Sequence, residues 1–188
     1  MARPKSDDRR SAIMAAASRV IASQGLSAAT ATIAKEAGVS NGSLFTYFET
    51  KADLLNQLFV ELKTEMAAAA LNRLPTESDL RTQGLSLWSH WLRWATSCPE
   101  KHRALAHLYV SDEITSESHQ IASQRMAGIT TLLERICKDG PMRDVSPGFI
   151  AALANALVDA TITYMILDPA NADTHCMAGF EALWRMVT

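Results

Sequence analysis

The stretch Thr30–Lys51, TATIAKEAGVSNGSLFTYFETK, holds the side chains of this sequence best suited to reading a nucleic acid. Asn41, Ser43, Phe45 and Tyr47 recur at every second residue of a segment with almost no charge. An asparagine amide can pair with adenine through two hydrogen bonds, worth roughly 1–3 kcal/mol of discrimination. Serine reaches a base edge or a phosphate, and an aromatic ring can lie on a thymine methyl. Gly42 lets the backbone come close to a duplex.

Such groups need a rigid mount, and the flanking residues spell one out. Two short helices joined by a tight turn are expected. The Thr30 hydroxyl is suited to cap the first by accepting from an unpaired backbone N–H. Ile33, Ala34 and Ala37 give that helix a small apolar face. Gly38 ends it, because glycine enters the left-handed cap conformation without a Cβ clash. Val39 is the expected buried plug of the turn. Ser40 caps the second helix, and Leu44 and Phe48, four apart, form its inward stripe.

The run IAKEAGVSNGSLFTYFETKADLL resembles the DNA-binding signature of the TetR/AcrR family of bacterial transcriptional repressors. That signature reads IA-x-x-AGVS-x-G-x-L-[YF]-x-[HY]-F-x-x-K-x-x-LL, and every fixed position is filled here. The likeness spans roughly Arg9 to Leu58, and the rest of the chain carries no comparable signature. The resemblance implies that Asn41 points at bases, with Gly42 and Ser43 beside it. Phe45 stands where the family usually has tyrosine, so one phosphate-binding hydroxyl is missing. Tyr47 occupies the family's His/Tyr phosphate position, and Lys51, Thr30 and Thr32 would also meet phosphates. Phosphate contacts fix position, and base contacts fix sequence.

The implied architecture is all-α. An N-terminal three-helix helix-turn-helix DNA-binding domain would occupy residues 1–50. A C-terminal helical effector-binding and dimerisation domain would occupy 51–188, with helix four, 51–70, linking the two and about nine helices in all. The spacing agrees. Residues 1–8 read as a polar arm. Helix one is expected from about Arg9 to Ser23, with Ile13, Ala16, Ala17, Val20 and Ile21 inward. Leu54, Leu55, Leu58, Phe59 and Leu62 form the stripe of helix four. Further helices are expected over about Ser78–Ser97, Pro99–Val110, Ser116–Lys138, Pro147–Leu167 and Ala172–Met186, with no strand pattern.

In the body, Trp88, Trp91 and Trp94 at three-residue spacing cannot share one core line. With Tyr109, Met126, Ile129 and Met165 they are candidates to line an aromatic cavity for a hydrophobic or planar effector. A plain core is the competing reading. A protein partner in place of a small effector is the alternative role of the body. Ala154, Leu157, Thr161, Tyr164, Phe180, Leu183, Trp184 and Val187, on the last two helices, are implied by the resemblance to pair with a second copy. A short recognition helix reads too few base pairs alone, so a homodimer on a near-palindromic double-stranded operator is expected.

Charge fits this polarity. Residues 1–51 hold seven basic and four acidic side chains, a surplus of three, which leaves −5 for the remainder of a chain of net charge −2. A mildly basic head on an acidic body suits a protein that presents one end to DNA. No Gly-rich phosphate loop, nucleophile elbow, HExxH or buried carboxylate pair is present, so no enzyme and no cofactor is expected. His90, His102, His107, His119 and His175 offer no i,i+4 metal pair. Cys98, Cys137 and Cys176 are odd in number and widely spaced, and reduced thiols are expected, with a redox role for Cys98 as the sharper alternative. The N-terminus lacks an apolar signal core, and no apolar run is expected to approach the length of about 20 that a membrane helix needs. A cytoplasmic protein follows as the expectation.

Overall fold

The computed structural model describes residues 5–188, with side chains from Asp7 onward. In chain order the helices are α1 (Lys5–Gln24), α2 (Thr30–Glu36), α3 (Asn41–Leu44), α4 (Lys51–Ala70), α5 (Leu80–Ser97), α6 (Pro99–Tyr109), α7 (Ser116–Arg125), α8 (Ala127–Cys137), α9 (Pro147–Leu167) and α10 (Ala172–Val187). A single 3-10 turn, Pro169–Asn171, joins the last two. No strand occurs among the described residues. The chain divides into two compact units, one of Met1–Thr64 with Cys98–Gln124, the other of Glu65–Ser97 with Arg125–Thr188.

In the first unit the expected stripes are the core. Ile13, Ala16, Ala17, Val20 and Ile21 of α1 are buried, as are Leu44 and Phe48 and the α4 residues Leu54, Leu55, Leu58, Phe59 and Leu62. Burying each large apolar side chain contributes about 1.5–3 kcal/mol. Ala104, Leu105 and Leu108 of α6 complete this core, and α6 packs along α1. The unit holding the helix-turn-helix therefore reaches past residue 50. α1 also begins earlier than expected. Asp7 and Asp8 lie in its first turn, where carboxylates favour the positive end of the helix dipole. Residues 5–8 are thus helix rather than arm, and residues 1–4 of the expected arm lie outside the described residues.

The second unit packs α5, α8, α9 and α10. The single helix expected over Ser116–Lys138 is two helices, broken at Met126. Gly128 follows the break, in the first turn of α8. A Cβ there would lie 2.9 Å from Leu71 Cδ1, so α8 approaches the end of α4 at a glycine that also weakens helix continuity. Gly179 plays the same part where α10 meets its neighbours. A Cβ on it would collide with Thr161 Oγ1 and come within 2.8 Å of Trp88 Cζ2. Gly179→Ala should therefore destabilise the protein by about 1–3 kcal/mol, the usual range for overpacking. A lowered urea midpoint with an unchanged slope would record it, and an unchanged midpoint would mean the crossing relaxes freely.

α9 departs from expectation in composition. Its 21 residues are long and apolar enough to cross a membrane, with a mean hydropathy of 1.7, yet only 28% of that stretch is buried in the chain. Asp159 is its sole charged residue. Apolar surface on every side of a helix leaves no periodic signal, which is why the run escapes a reading based on amphipathic stripes.

Candidate nucleic-acid interface

Ser40 builds the presenting element. It sits in extended conformation, and its Oγ accepts from the Ser43 N–H at 3.1 Å, so it caps α3 as expected. α3 itself is a single turn, and turns continue the chain to Phe48, whose N–H donates to Leu44 O at 3.2 Å. Gly38 has φ +69°, the left-handed value that the end of α2 requires. Two local expectations change. The N-cap residue of α2 is Ala29, with no side-chain capping bond, and Thr30 is the first helical residue rather than the cap. Val39 is half-buried rather than a sealed plug.

Leu44 and Phe48 anchor the element from below, and that leaves Asn41, Gly42 and Phe45 exposed. Phe45 has 41% of its surface in solvent, a large apolar ring with no place in the chain's own core. A Cβ at Gly42 would meet only Ser40 Oγ at 3.9 Å, so nothing inside the chain requires glycine there. Ser43 and Tyr47 are half-buried, as are Thr30 and Thr32. The Ser43 hydroxyl lies 2.9 Å from Ser40 Oγ, sharing the cap.

The start of α4 has a device that the stripe reading passed over. Thr50 Oγ1 accepts from the Asp53 N–H at 3.0 Å, and Asp53 Oδ2 accepts from the Glu49 N–H at 3.0 Å, a reciprocal cap built from T-x-x-D. The spacing was visible in the sequence. Lys51, one residue into the helix, donates from Nζ to Leu26 O at 2.6 Å. An ammonium has three donors, so two remain for a phosphate. The basic surplus is partly spent inside the unit. Arg19 pairs with Glu36 at 2.8 Å, and Arg10 pairs with Glu61 at 3.1 Å while lying over Phe48.

Residues 13–58 match the family model for bacterial regulatory proteins, tetR family. The match takes in α2, α3, the turn between them and the start of α4. The whole chain is also similar to a tetR-family transcription regulator from Shewanella sp. PV-4, at 27% identity and a TM-score of 0.83, covering 94% of this chain and 96% of that one. Residues 13–58 are thus a tetR-family DNA-binding domain, and the chain as a whole has the fold of a TetR-family transcription regulator. Members are DNA-binding transcription regulators and not enzymes. A TetR-family regulator from Marinobacter aquaeolei VT8 shares the fold at 23% identity and a TM-score of 0.85, over 99% of this chain and 98% of that one. So does the TetR-like regulator LfrR from Mycobacterium smegmatis, solved in complex with proflavine, at 20% identity and a TM-score of 0.70, over 96% and 98%.

In the second unit the structure brings together three of the seven candidate effector residues. Trp88, Trp91 and Ile129 wall an apolar cavity with Gly84, Ile136 and Phe180 among their neighbours. Its volume is about 30 Å³, far below the roughly 300–1,000 Å³ of a ligand pocket. All three α5 tryptophans are buried, including Trp94. Tyr109 belongs to the first unit, where it packs under Lys63 and against His119. Met126 is the cap residue of α8 and Met165 is half-buried on α9, and neither lines the cavity.

The candidate interface residues divide by burial. Ala154, Thr161, Phe180 and Val187 are buried against their own chain, so a second copy has no access to them. Leu157, Leu183 and Trp184 are half-buried, and Tyr164 is exposed. The apolar surface left open lies one step around the helix. Phe149, Ala152, Ala156, Ala160, Tyr164 and Leu167 of α9 are exposed at spacings of three and four, which places them in one stripe. Met177, Ala178 and Ala182 continue it on α10. Of the cysteines, burial pushes the Cys137 and Cys176 thiols up, so both stay protonated and unreactive near neutral pH. Cys98 is half-buried at the cap of α6, ahead of Pro99.

Proposed function

We propose that this chain is a transcriptional repressor that binds a near-palindromic operator as a homodimer and leaves it when a small apolar or aromatic effector occupies the second unit. The observation that carries the reading is the surface of Asn41–Tyr47. It offers an amide, a bare glycine and an exposed phenyl ring on a capped, anchored turn, and none of these has a structural task in the chain. The remaining contacts follow the roles implied by the signature. Asn41, Gly42, Ser43 and Phe45 face bases. Tyr47, Lys51, Thr30 and Thr32 face phosphates. The expected site of action is the cytoplasm, where the DNA is.

Dimerisation is supported by the open α9 stripe and its continuation on α10. Asp159 in mid-helix, the polar residues Asn155, Thr161 and Thr163, and the packing on α5 and α10 favour a second copy over lipid as the cover for this face. The complex of LfrR with proflavine supports an effector within the same architecture. An effector acts only by binding better to a dimer whose recognition elements no longer match successive major grooves, about 34–36 Å apart.

Selection from a random duplex library tests the reading. Wild-type protein should enrich two inverted half-sites. Asn41→Ala should keep the spacing and lose discrimination at one position in each half-site, by about 1–3 kcal/mol. Enrichment of a lone half-site, or of no sequence, counts against it.

A further inference from the structure

We infer that the groove between α8 and α9 is the effector site, and that its ligand is a small apolar acid, a carboxylate on a hydrocarbon body about the size of benzene. The hydrocarbon lies on the floor of the groove and the carboxylate at its rim, where Lys138 and Arg143 stand. This rests on the reading of the second unit as effector-binding and gives that effector a place and a chemistry.

The groove follows from how the helices pack. α8 and α9 each lie on α5, and the chain that joins them supplies a third wall. That connection is held in shape by its own backbone. The Gly140 N–H donates to Cys137 O at 3.1 Å, the Arg143 N–H to Gly140 O at 3.3 Å and the Val145 N–H to Met142 O at 3.0 Å. A Cβ on Gly140 would collide with Val187 O, so the connection sits directly on the end of α10. These turns keep Met142 and Val145 half-buried against the groove. With Leu133 and Cys137 from α8 and Ile150 from α9 they make an apolar floor. The volume is about 170 Å³, against about 30 Å³ for the α5 cavity. An apolar cavity of about 150 Å³ already holds benzene.

The chemistry of the lining narrows the ligand. Glu134, Lys138 and Arg143 line the same groove, and all three are exposed. Lys138 forms no ion pair among the described residues. Arg143 pairs with its own neighbour Asp144, from Nε at 3.3 Å, and both side chains are open to solvent. So exposed a pair holds the guanidinium weakly, and its remaining N–H donors stay available. Two cations against one acid favour an anion at the rim. The guanidinium also matches a carboxylate in shape, two N–H groups to two oxygens. An inorganic anion would leave the floor bare, and a plain hydrocarbon would leave the cations unused. A molecule with an apolar body and an acid group uses both. Its charge stays at the wet rim while its hydrocarbon leaves water, so no charge is buried.

The test uses the full chain and three probes of similar shape, benzoate, benzamide and benzylamine, titrated by ligand-observed NMR near neutral pH. There they are an anion, a neutral molecule and a cation. Wild-type protein should bind benzoate about fivefold more tightly than benzamide, and the benzylamine cation most weakly. Combining Lys138→Gln with Arg143→Gln should erase the preference for benzoate and leave benzamide affinity within about twofold. Glu134→Gln should tighten benzoate, because it removes the acid from the rim. Ala151→Phe, which fills the groove from α9, should weaken all three probes by about tenfold or more. Thermal unfolding confirms that each variant is folded. Benzoate should also loosen the operator duplex recovered by selection from wild-type protein, and not from the Ala151→Phe variant. If the three probes bind alike, or the double variant keeps the preference, the acid assignment falls while the effector reading stands. If Ala151→Phe leaves binding unchanged, or no probe binds, the groove is not the site and the proposal falls, again without touching that reading. If benzoate binds in the groove and operator affinity does not move, the effector reading falls and the proposal with it.

Discussion

Ala156→Glu is expected to convert the protein into a helical monomer that binds its operator at least about a hundredfold more weakly. Ala156 is exposed in the chain, so a longer side chain there meets no neighbour of its own. In the proposed dimer it lies mid-stripe on α9, between Ala152 and Ala160, where helices of small residues can approach closely. Two-fold symmetry places one glutamate from each copy in the same contact. Each would be buried without a partner, which costs several kcal/mol, and Asp159 three residues on adds like charge. Operator affinity falls because a monomer engages one half-site and loses the gain from tethering two. Sedimentation velocity and circular dichroism decide the matter. A variant that stays dimeric with full helicity would move the interface off α9. Phe180→Asp is the wrong probe here, because Phe180 is buried in its own chain and the variant would unfold rather than dissociate.

That contrast marks where the sequence was legible. The α1 and α4 stripes are amphipathic, so the spacing of Ile13, Val20, Leu54 and Leu58 alone placed them in the core. The turn was as clear, because Gly38 and Ser40 each have one conformation to serve. Capping of α2 was not, since threonine at either the cap or the first turn fits the same letters. The break at Met126 has no proline to mark it, and a lone glycine such as Gly128 is compatible with a continuing helix. On α9 apolar residues surround the helix, so periodicity cannot separate the face turned to α5 and α10 from the open one. Ala154 and Ala156 differ by two residues and face opposite ways, and only the fold tells them apart. The three α5 tryptophans are buried, and burial alone does not distinguish core from site. Trp88 donates its indole N–H to Cys176 O, and hydrogen-bond partners across a fold are not written in spacing.

The second large effect concerns Lys51. Lys51→Met should weaken binding to every duplex by about tenfold or more near physiological salt, and alike for operator and unrelated DNA. The substitution keeps an unbranched stem along the protein surface and removes only the ammonium. One phosphate contact is lost per subunit and two per dimer, so the plot of log affinity against log salt should become shallower by about 2. Loss of the bond from Nζ to Leu26 O adds a local cost, because that carbonyl is left to water. Lys51→Arg separates the two, since it restores the charge with a different reach. Tyr47→Phe, which deletes one hydroxyl, should shift affinity in the same direction by less and leave base preference unchanged. Asn41→Ala should do the reverse, changing which base is tolerated and sparing the salt slope. The assignment of Lys51 to phosphate fails if its variant alters base preference while the slope holds. In that case the element that reads sequence would extend past α3 into the first turn of α4.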